Sequence, residues 1–385
     1  MPSVSRLACF LFSVIGLLSN NYCYAQQLDS SRSRYAAFDE LMQKLPPKRH
    51  GNTLLTPPVI FRDSTYTQPR ALEYELRLSE QPLKLQHQTV RLHNPKSGGD
   101  RPACYSVVYQ NCLVALFTTG NFGCFRITNF ERDTLLEAQL NTFVFERHWI
   151  LNQQLIGWRE GRAFYFDTIQ RTWQSYKQPL PFEGRLKVFE DERFVCTMDC
   201  HGEFGGHIYF FDKRTRRTHY TNATCATTVQ KIDGQYHLLA SLAHMQGSTH
   251  SAVISAPEKL PVITKKLDPA RDWQYHFADS KPNEAVKSVF NYYGLTMAGS
   301  FQWHEQILYV VNLHPITFLA SISGKSITIV DPLFNRYLSP DNTIATAFAP
   351  NSALVSYSHY ESRKTTEGRC LLFQDRRVTE IVWGN

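Results

Sequence analysis

The chain has 385 residues, 43% of them hydrophobic, which is enough for a sizeable core in one large or two ordinary domains and excludes a disordered chain. Its 13% aromatic content suits pleated, half-buried sheet surfaces and points to an all-β protein. The net charge of +7 is dispersed, and a dense run such as "DKRTRR" at 212–217 sits between two strand-like stretches, where it reads as a solvated turn. A nucleic-acid partner would need basic residues gathered on one face beside aromatic platforms, so none is expected.

Residues 1–25 read as a secretory signal. Arg6 precedes an apolar stretch from Leu7 to Leu18, and Cys23 and Ala25 stand at the small-residue positions ahead of Gln26. Cleavage is expected near Ala25, without lipidation at Cys23 because "SNNY" before it lacks an aliphatic and small pattern. The expected location is therefore secreted or periplasmic. No later stretch reaches the roughly 18 apolar residues of a membrane-spanning helix, so no stable membrane span is expected. Export permits disulfides. Seven cysteines follow residue 25, so at least one thiol is free or pairs between chains; Cys104 and Cys112 are the expected pair, brought together by a short hairpin. Most of the others are expected to be small buried hydrophobes.

Residues 26–53 form a helical segment, with Ser31 or Ser33 as cap, Tyr35, Phe38, Leu41, Met42 and Leu45 on one face, and Pro46 and Pro47 as the stop. From about Leu54 to the C-terminus the hydrophobic period is two, and short runs are bounded by Gly, Asn, Asp or Pro. Within this 54–385 domain "GRAFYFDTIQRTWQSY" at 161–176 is echoed by "GHIYFFDKRTRRTHYT" at 206–221, with Gly161, Phe166 and Asp167 recurring as Gly206, Phe211 and Asp212. Each copy follows an apolar strand, and six such frames span roughly 104 to 383 at a mean near 47 residues, the length of one four-stranded propeller blade. The expected fold is an all-β propeller of six or seven four-stranded blades with a short N-terminal helix. Residues 54–94 would supply a seventh blade or the strand that closes the ring. A pair of β-sandwiches is the competing architecture, but it would not be expected to repeat at this interval.

The chain resembles secreted bacterial β-propeller proteins, through "GRAFYFD", "GGHIYFFD" and the strand–loop–strand frame around them. It lacks the Trp-Asp ending of WD repeats, the paired glycines of kelch blades except at Gly205 and Gly206, and the Asp-box of sialidase-like propellers. The resemblance therefore implies a fold and no activity.

Candidate site residues come from the loops expected on one face. His244, His314 and His359 end the second strand of three blades at equivalent places, and Cys200 followed by His201 takes that place in a fourth. The stretch 268–287 interrupts the frame and carries Trp273, Tyr275 and His276, contact anchors expected between the last strand of one blade and the first of the next. Trp273, Tyr275, His276, His244, His314 and His359 are thus the expected ligand-binding residues. Asp199, His201, Glu203 and His207 are suitable ligands for a divalent ion. No nucleophile elbow, phosphate loop or calcium loop is present. The expected function is a protein- or glycan-binding module with no cofactor. The alternative is a hydrolase or lyase with a scattered, possibly metal-dependent site.

Overall fold

The computed structural model describes residues 53–54 and 74–384, except 97, 182–184, 245–246, 264–282, 314–315, 335, 339–341 and 362–363. Strands β4 (Val107–Tyr109), β5 (Cys112–Leu116) and β6 (Phe122–Arg126) make the first antiparallel sheet, blade I. Blade II comprises β7 (Arg147–Leu151), β8 (Gln154–Arg159), β9 (Arg162–Asp167) and β10 (Thr172–Ser175). Blade III comprises β11 (Leu186–Glu190), β12 (Phe194–Met198), β13 (His207–Asp212) and β14 (Thr218–Asn222). Blade IV comprises β15 (Ala226–Ile232), β16 (Gln235–Leu242), β17 (Ser248–Ile254) and β18 (Val286–Tyr293). Blade V runs through β19 (Thr296–Trp303), β20 (Gln306–Leu313), β21 (Ile316–Ser323) and β22 (Ser326–Phe334). Blade VI holds β23 (Thr343–Ala349), β24 (Ser352–Glu361), β25 (Lys364–Gln374) and β26 (Arg377–Trp383).

Five blades are sequential four-stranded meanders, as the repeat predicts. In blade I the fourth place is held by Arg132, which makes a single bridge to Phe125, followed by helix α1 (Thr134–Leu140). Asp133 caps that helix by accepting a hydrogen bond from Leu136 N at 3.0 Å. The echoed stretches at 161–176 and 206–221 are the third-to-fourth-strand hairpins of blades II and III. Its recurring aspartate closes the turn: Asp167 Oδ1 accepts from Ile169 N and Gln170 N at 2.8 and 2.9 Å, and Asp212 Oδ1 from Arg214 N and Thr215 N at 2.8 and 3.1 Å.

Residues 75–92 form neither a seventh blade nor part of a blade meander. Strands β2 (Glu75–Leu78) and β3 (Gln86–Leu92) add parallel to the outermost strands β22 and β26, as fifth strands of blades V and VI. The two-residue strand β1 (Thr53–Leu54) pairs with β2. The expected N-terminal helix and signal segment lie outside the described residues.

Each sheet buries both faces, and an apolar core lies in every seam between neighbours. Leu116, Phe122, Leu155 and Trp173 fill seam I–II, whereas Phe210, Leu238 and Ile254 belong to III–IV and Met297, Val311 and Phe318 to IV–V. Seam V–VI holds Phe301, Leu308, Leu319 and Phe373. Leu113, Phe125, Leu372 and Trp383 fill seam VI–I and so close the ring. Seam II–III is thinner, built on Leu151, Ile156, Ala163, Leu180 and Val195. A ring of six seams is the geometry that lets redundant sheets share one axis; it excludes paired sandwiches.

Candidate functional site

The first strand of each blade faces the axis, but the six are not equivalent. Strands β11, β15, β19 and β23 of blades III to VI pack on one another, with β15 and β11 each touching β23 across the axis. Gly299 on β19 permits this approach: a Cβ there would stand 2.3 Å from the Cβ of Ala345 on β23 and 3.2 Å from Thr228 Oγ1 on β15. Ser300 N donates to Thr228 Oγ1 at 3.1 Å, and Gln230 Nε2 to Ser300 Oγ at 2.8 Å, so these three polar side chains link β19 to β15 on the closed side.

On the other side the ring stays open, leaving a cavity of about 2000 Å³ lined mainly by blades I, II and III and by part of VI. Its lining runs from the turn at Thr118–Gly120 and from Cys200–His201 to the opposite turns at Gln110, Asn152–Gln153 and Asp191–Glu192, so it extends the length of the channel. Lys187, Glu190 and Lys213 form a charged strip on its blade III wall. Lys187 Nζ lies 3.2 Å from Glu190 Oε2, and Lys213 Nζ donates to Glu190 Oε1 at 2.6 Å and to Asn152 Oδ1 at 2.9 Å, tying blade III to blade II. Burial holds the Lys187 ammonium below its ordinary range despite the glutamate beside it.

The blade I and II wall carries a different chemistry. Cys104, half-buried just before β4, has its Sγ 3.1 Å from Nδ1 of His148 on β7. The other ring nitrogen of His148 lies 3.3 Å from the carbonyl oxygen of Val114, and the ring stands edge-on to Phe122 at 5.5 Å. Donation from Nε2–H to that carbonyl leaves Nδ1 as the acceptor for the thiol. Burial pushes the thiol up to about 12 and the imidazole down to about 4, so the pair is neutral at rest. Nearby Glu367 on β25 is fully buried and accepts from Ser106 N, Ser106 Oγ at 3.0 Å and Trp383 Nε1 at 2.7 Å; burial raises its carboxyl above the usual range against these donors.

At the rim of blade III, Asp199 gathers two of its expected co-ligands. Its Oδ1 lies 3.4 Å from His207 Nδ1 and accepts from His207 N at 2.7 Å, while Oδ2 lies 3.7 Å from His201 Nε2 and accepts from Tyr209 Oη. Burial opposes the charge of Asp199, but the donors from His207 and Tyr209 outweigh it and hold the carboxyl below its ordinary range. Glu203 lies apart from this group and meets His244 of blade IV, Oε2 to Nε2, at 3.5 Å. Among the described residues no group of three or more His, Cys, Asp or Glu side chains is arranged to hold a metal ion.

Two expectations are corrected. The disulfide joins Cys200 to Cys225, not Cys104 to Cys112, and so staples the loop after β12 to the start of blade IV. Cys112 is buried in the seam I–II core, whereas Cys104 faces the channel toward His148, which points their thiols to different neighbours. The stretch 268–287 runs from the connection after β17 into β18, the third and fourth strands of one blade, so the ends of that connection lie opposite the loops that follow each second strand. Trp273, Tyr275 and His276 themselves, and His314, lie outside the described residues. His359 falls within β24, opposite Thr366. Cys104 and His148 escaped the sequence reading because they are 44 residues apart and carry no motif.

No family model matches the chain, and no curated protein matches it. Among solved structures it is similar to the N-terminal domain of Nup159, at 8% identity and TM-score 0.35 over 77% of this chain and 85% of that one. It is also similar to BamB from Moraxella catarrhalis, at 7% identity and TM-score 0.34 over 72% and 73%, and to the AfRom2 CNH domain, at 11% and 0.32 over 74% and 94%. The propeller assignment rests on this chain's own strand pairing and seams.

Proposed function

We propose that the protein is an exported binding module that takes a polypeptide segment into the open side of its channel. The observation that carries this reading is the asymmetric ring: four inner strands close on one another, and the remaining space forms a cavity of about 2000 Å³ with a charged strip of Lys187, Glu190 and Lys213. Pockets of this kind, with charged groups fixed at defined places along an apolar wall, suit a chain that offers both signs of charge. A glycan is the second reading; one aromatic face of the wall, that of Tyr209, is already covered by Arg185 at 3.8 Å. The Cys200–Cys225 disulfide supports export to a secreted or periplasmic location after cleavage near Ala25, since such bonds persist in oxidising compartments.

The test is photo-crosslinking in the source cells, with a benzophenone side chain replacing Trp149 on the channel wall or the exposed Ile169 on the outer turn of blade II. A discrete, protease-sensitive adduct from position 149 and none from 169 is expected. Equal adducts from both, no adduct at all, or an adduct removed by glycosidases would overturn the polypeptide reading.

A further inference from the structure

The channel wall holds a thiol that packs at the edge of the seam I–II core and also reaches a buried imidazole. Four of the five free cysteines among the described residues, Cys112, Cys124, Cys196 and Cys370, are sealed in the seams. Cys104 alone of the five lines the cavity, and its sulfur lies 3.1 Å from a ring nitrogen of the buried His148. The other nitrogen of that ring is oriented by the Val114 carbonyl. A nucleophile within hydrogen-bond reach of a base that is itself oriented by a third group is the arrangement needed for covalent catalysis. The cavity supplies a place for the electrophile.

We propose that Cys104 and His148 form a nucleophile–base pair that accepts an acyl group from a small ester in the channel. The Cys104 sulfur bonds to the ester carbonyl carbon while its proton passes to Nδ1 of His148. Collapse of the tetrahedral adduct breaks the carbon–oxygen bond of the leaving group, which departs as the alcohol after taking the proton from Nδ1. The products are a thioester on Cys104 and one alcohol, and water can later release the acid and restore the thiol. Because the resting pair is neutral, the thiol depends on the imidazole to lose its proton as the bond forms. This step goes beyond the binding reading and does not depend on it, since a small ester needs no polypeptide partner.

The experiment uses the full-length mature protein and p-nitrophenyl acetate. One equivalent of p-nitrophenol should be released, with a single acetyl group on the peptide bearing Cys104. Cys104→Ser should lose that label, and His148→Gln should slow it by about 100-fold, the contribution ordinary for a positioned base. The wild-type rate should be nearly flat from about pH 8 to about pH 5 and fall as His148 takes a proton near 4. Acetyl groups on lysines with Cys104 unmodified would overturn the proposal, even if the glutamine variant failed to fold. So would a rate rising about tenfold per pH unit, the behaviour of an unassisted thiol.

Discussion

Seam V–VI and seam II–III perform the same architectural task with opposite means. Seam V–VI is thick and apolar: Phe301 and Phe373 stand 4.7 Å apart amid Leu308, Val310, Leu319 and Val355, and Gly299 lets the inner strands close behind them. Seam II–III rests on five buried apolar residues among those described and is completed by polar links, Asn152 N to Glu190 Oε1 at 2.9 Å and Lys213 between the two blades. The difference teaches where the ring draws its stability and where it leaves room. Apolar area gives non-directional stabilisation on one side, and the other side spends its inner surface on the channel.

The largest break in that comparison is expected from Phe301→Ala, which empties a fully buried ring position in seam V–VI and should cost about 4 kcal/mol in denaturant unfolding. A cost below about 1 kcal/mol would mean the seam is not packed as described. Reduction of Cys200–Cys225 releases a cross-link across 25 residues of sequence and should cost about 3 kcal/mol, read as a lower unfolding midpoint in reductant. An unchanged midpoint would show that the staple between blades III and IV contributes nothing.

A pH effect of similar size is expected on the open side. The folded pKa of His148 is lowered from 6.5 to about 4 by burial, so the unfolded chain binds its proton first. Its contribution is fully present above about pH 6.5 and lost as pH falls through about 4, up to about 3 kcal/mol in all. Unfolding free energies of His148→Gln should therefore fall less steeply over that window than those of the parent; identical slopes would remove His148 as the cause. The smallest effect belongs to Lys213→Ala at the polar seam, about 1 kcal/mol and weaker in high salt. Metal analysis sharpens the site rather than the seams. The purified protein is expected to carry no stoichiometric zinc or calcium, and a bound ion lost in His207→Ala would favour the metal-dependent alternative.

Much of this architecture was legible because blades are local in sequence. Strand alternation and the 45-residue echo located the hairpins of blades II and III, and the echoing Asp167 and Asp212 close equivalent turns. Even there identity misled in detail: Gly161 sits in the Glu160–Gly161 turn, whereas Gly206 is pressed against the backbone, where a Cβ would meet Asp199 O at 2.6 Å. The fifth strands β2 and β3 were illegible because their pairing spans more than 240 residues and is fixed by edges, such as Leu85 N donating to Asp331 Oδ2 at 2.6 Å. The position of the 268–287 stretch was misread for a related reason: it runs into β18, which belongs to the blade before it. Asp199, His201 and His207 were singled out by proximity in sequence, and the fold sets both imidazoles within 3.7 Å of Asp199 without a metal-holding group among the described residues. Cys104 and His148 meet only through the ring, so no spacing could announce them.

The asymmetric channel depends on inner strands that close against one another on one side of the axis, and a double-mutant cycle at Gly299 and Ala345 measures that contact most directly. Gly299→Ala should destabilise the protein by about 2 kcal/mol, because its new methyl overlaps that of Ala345, and Ala345→Gly in the same chain should recover more than half of the loss. Effects that add to within about 0.5 kcal/mol would mean the two strands do not touch there, and the asymmetric channel would not exist as described.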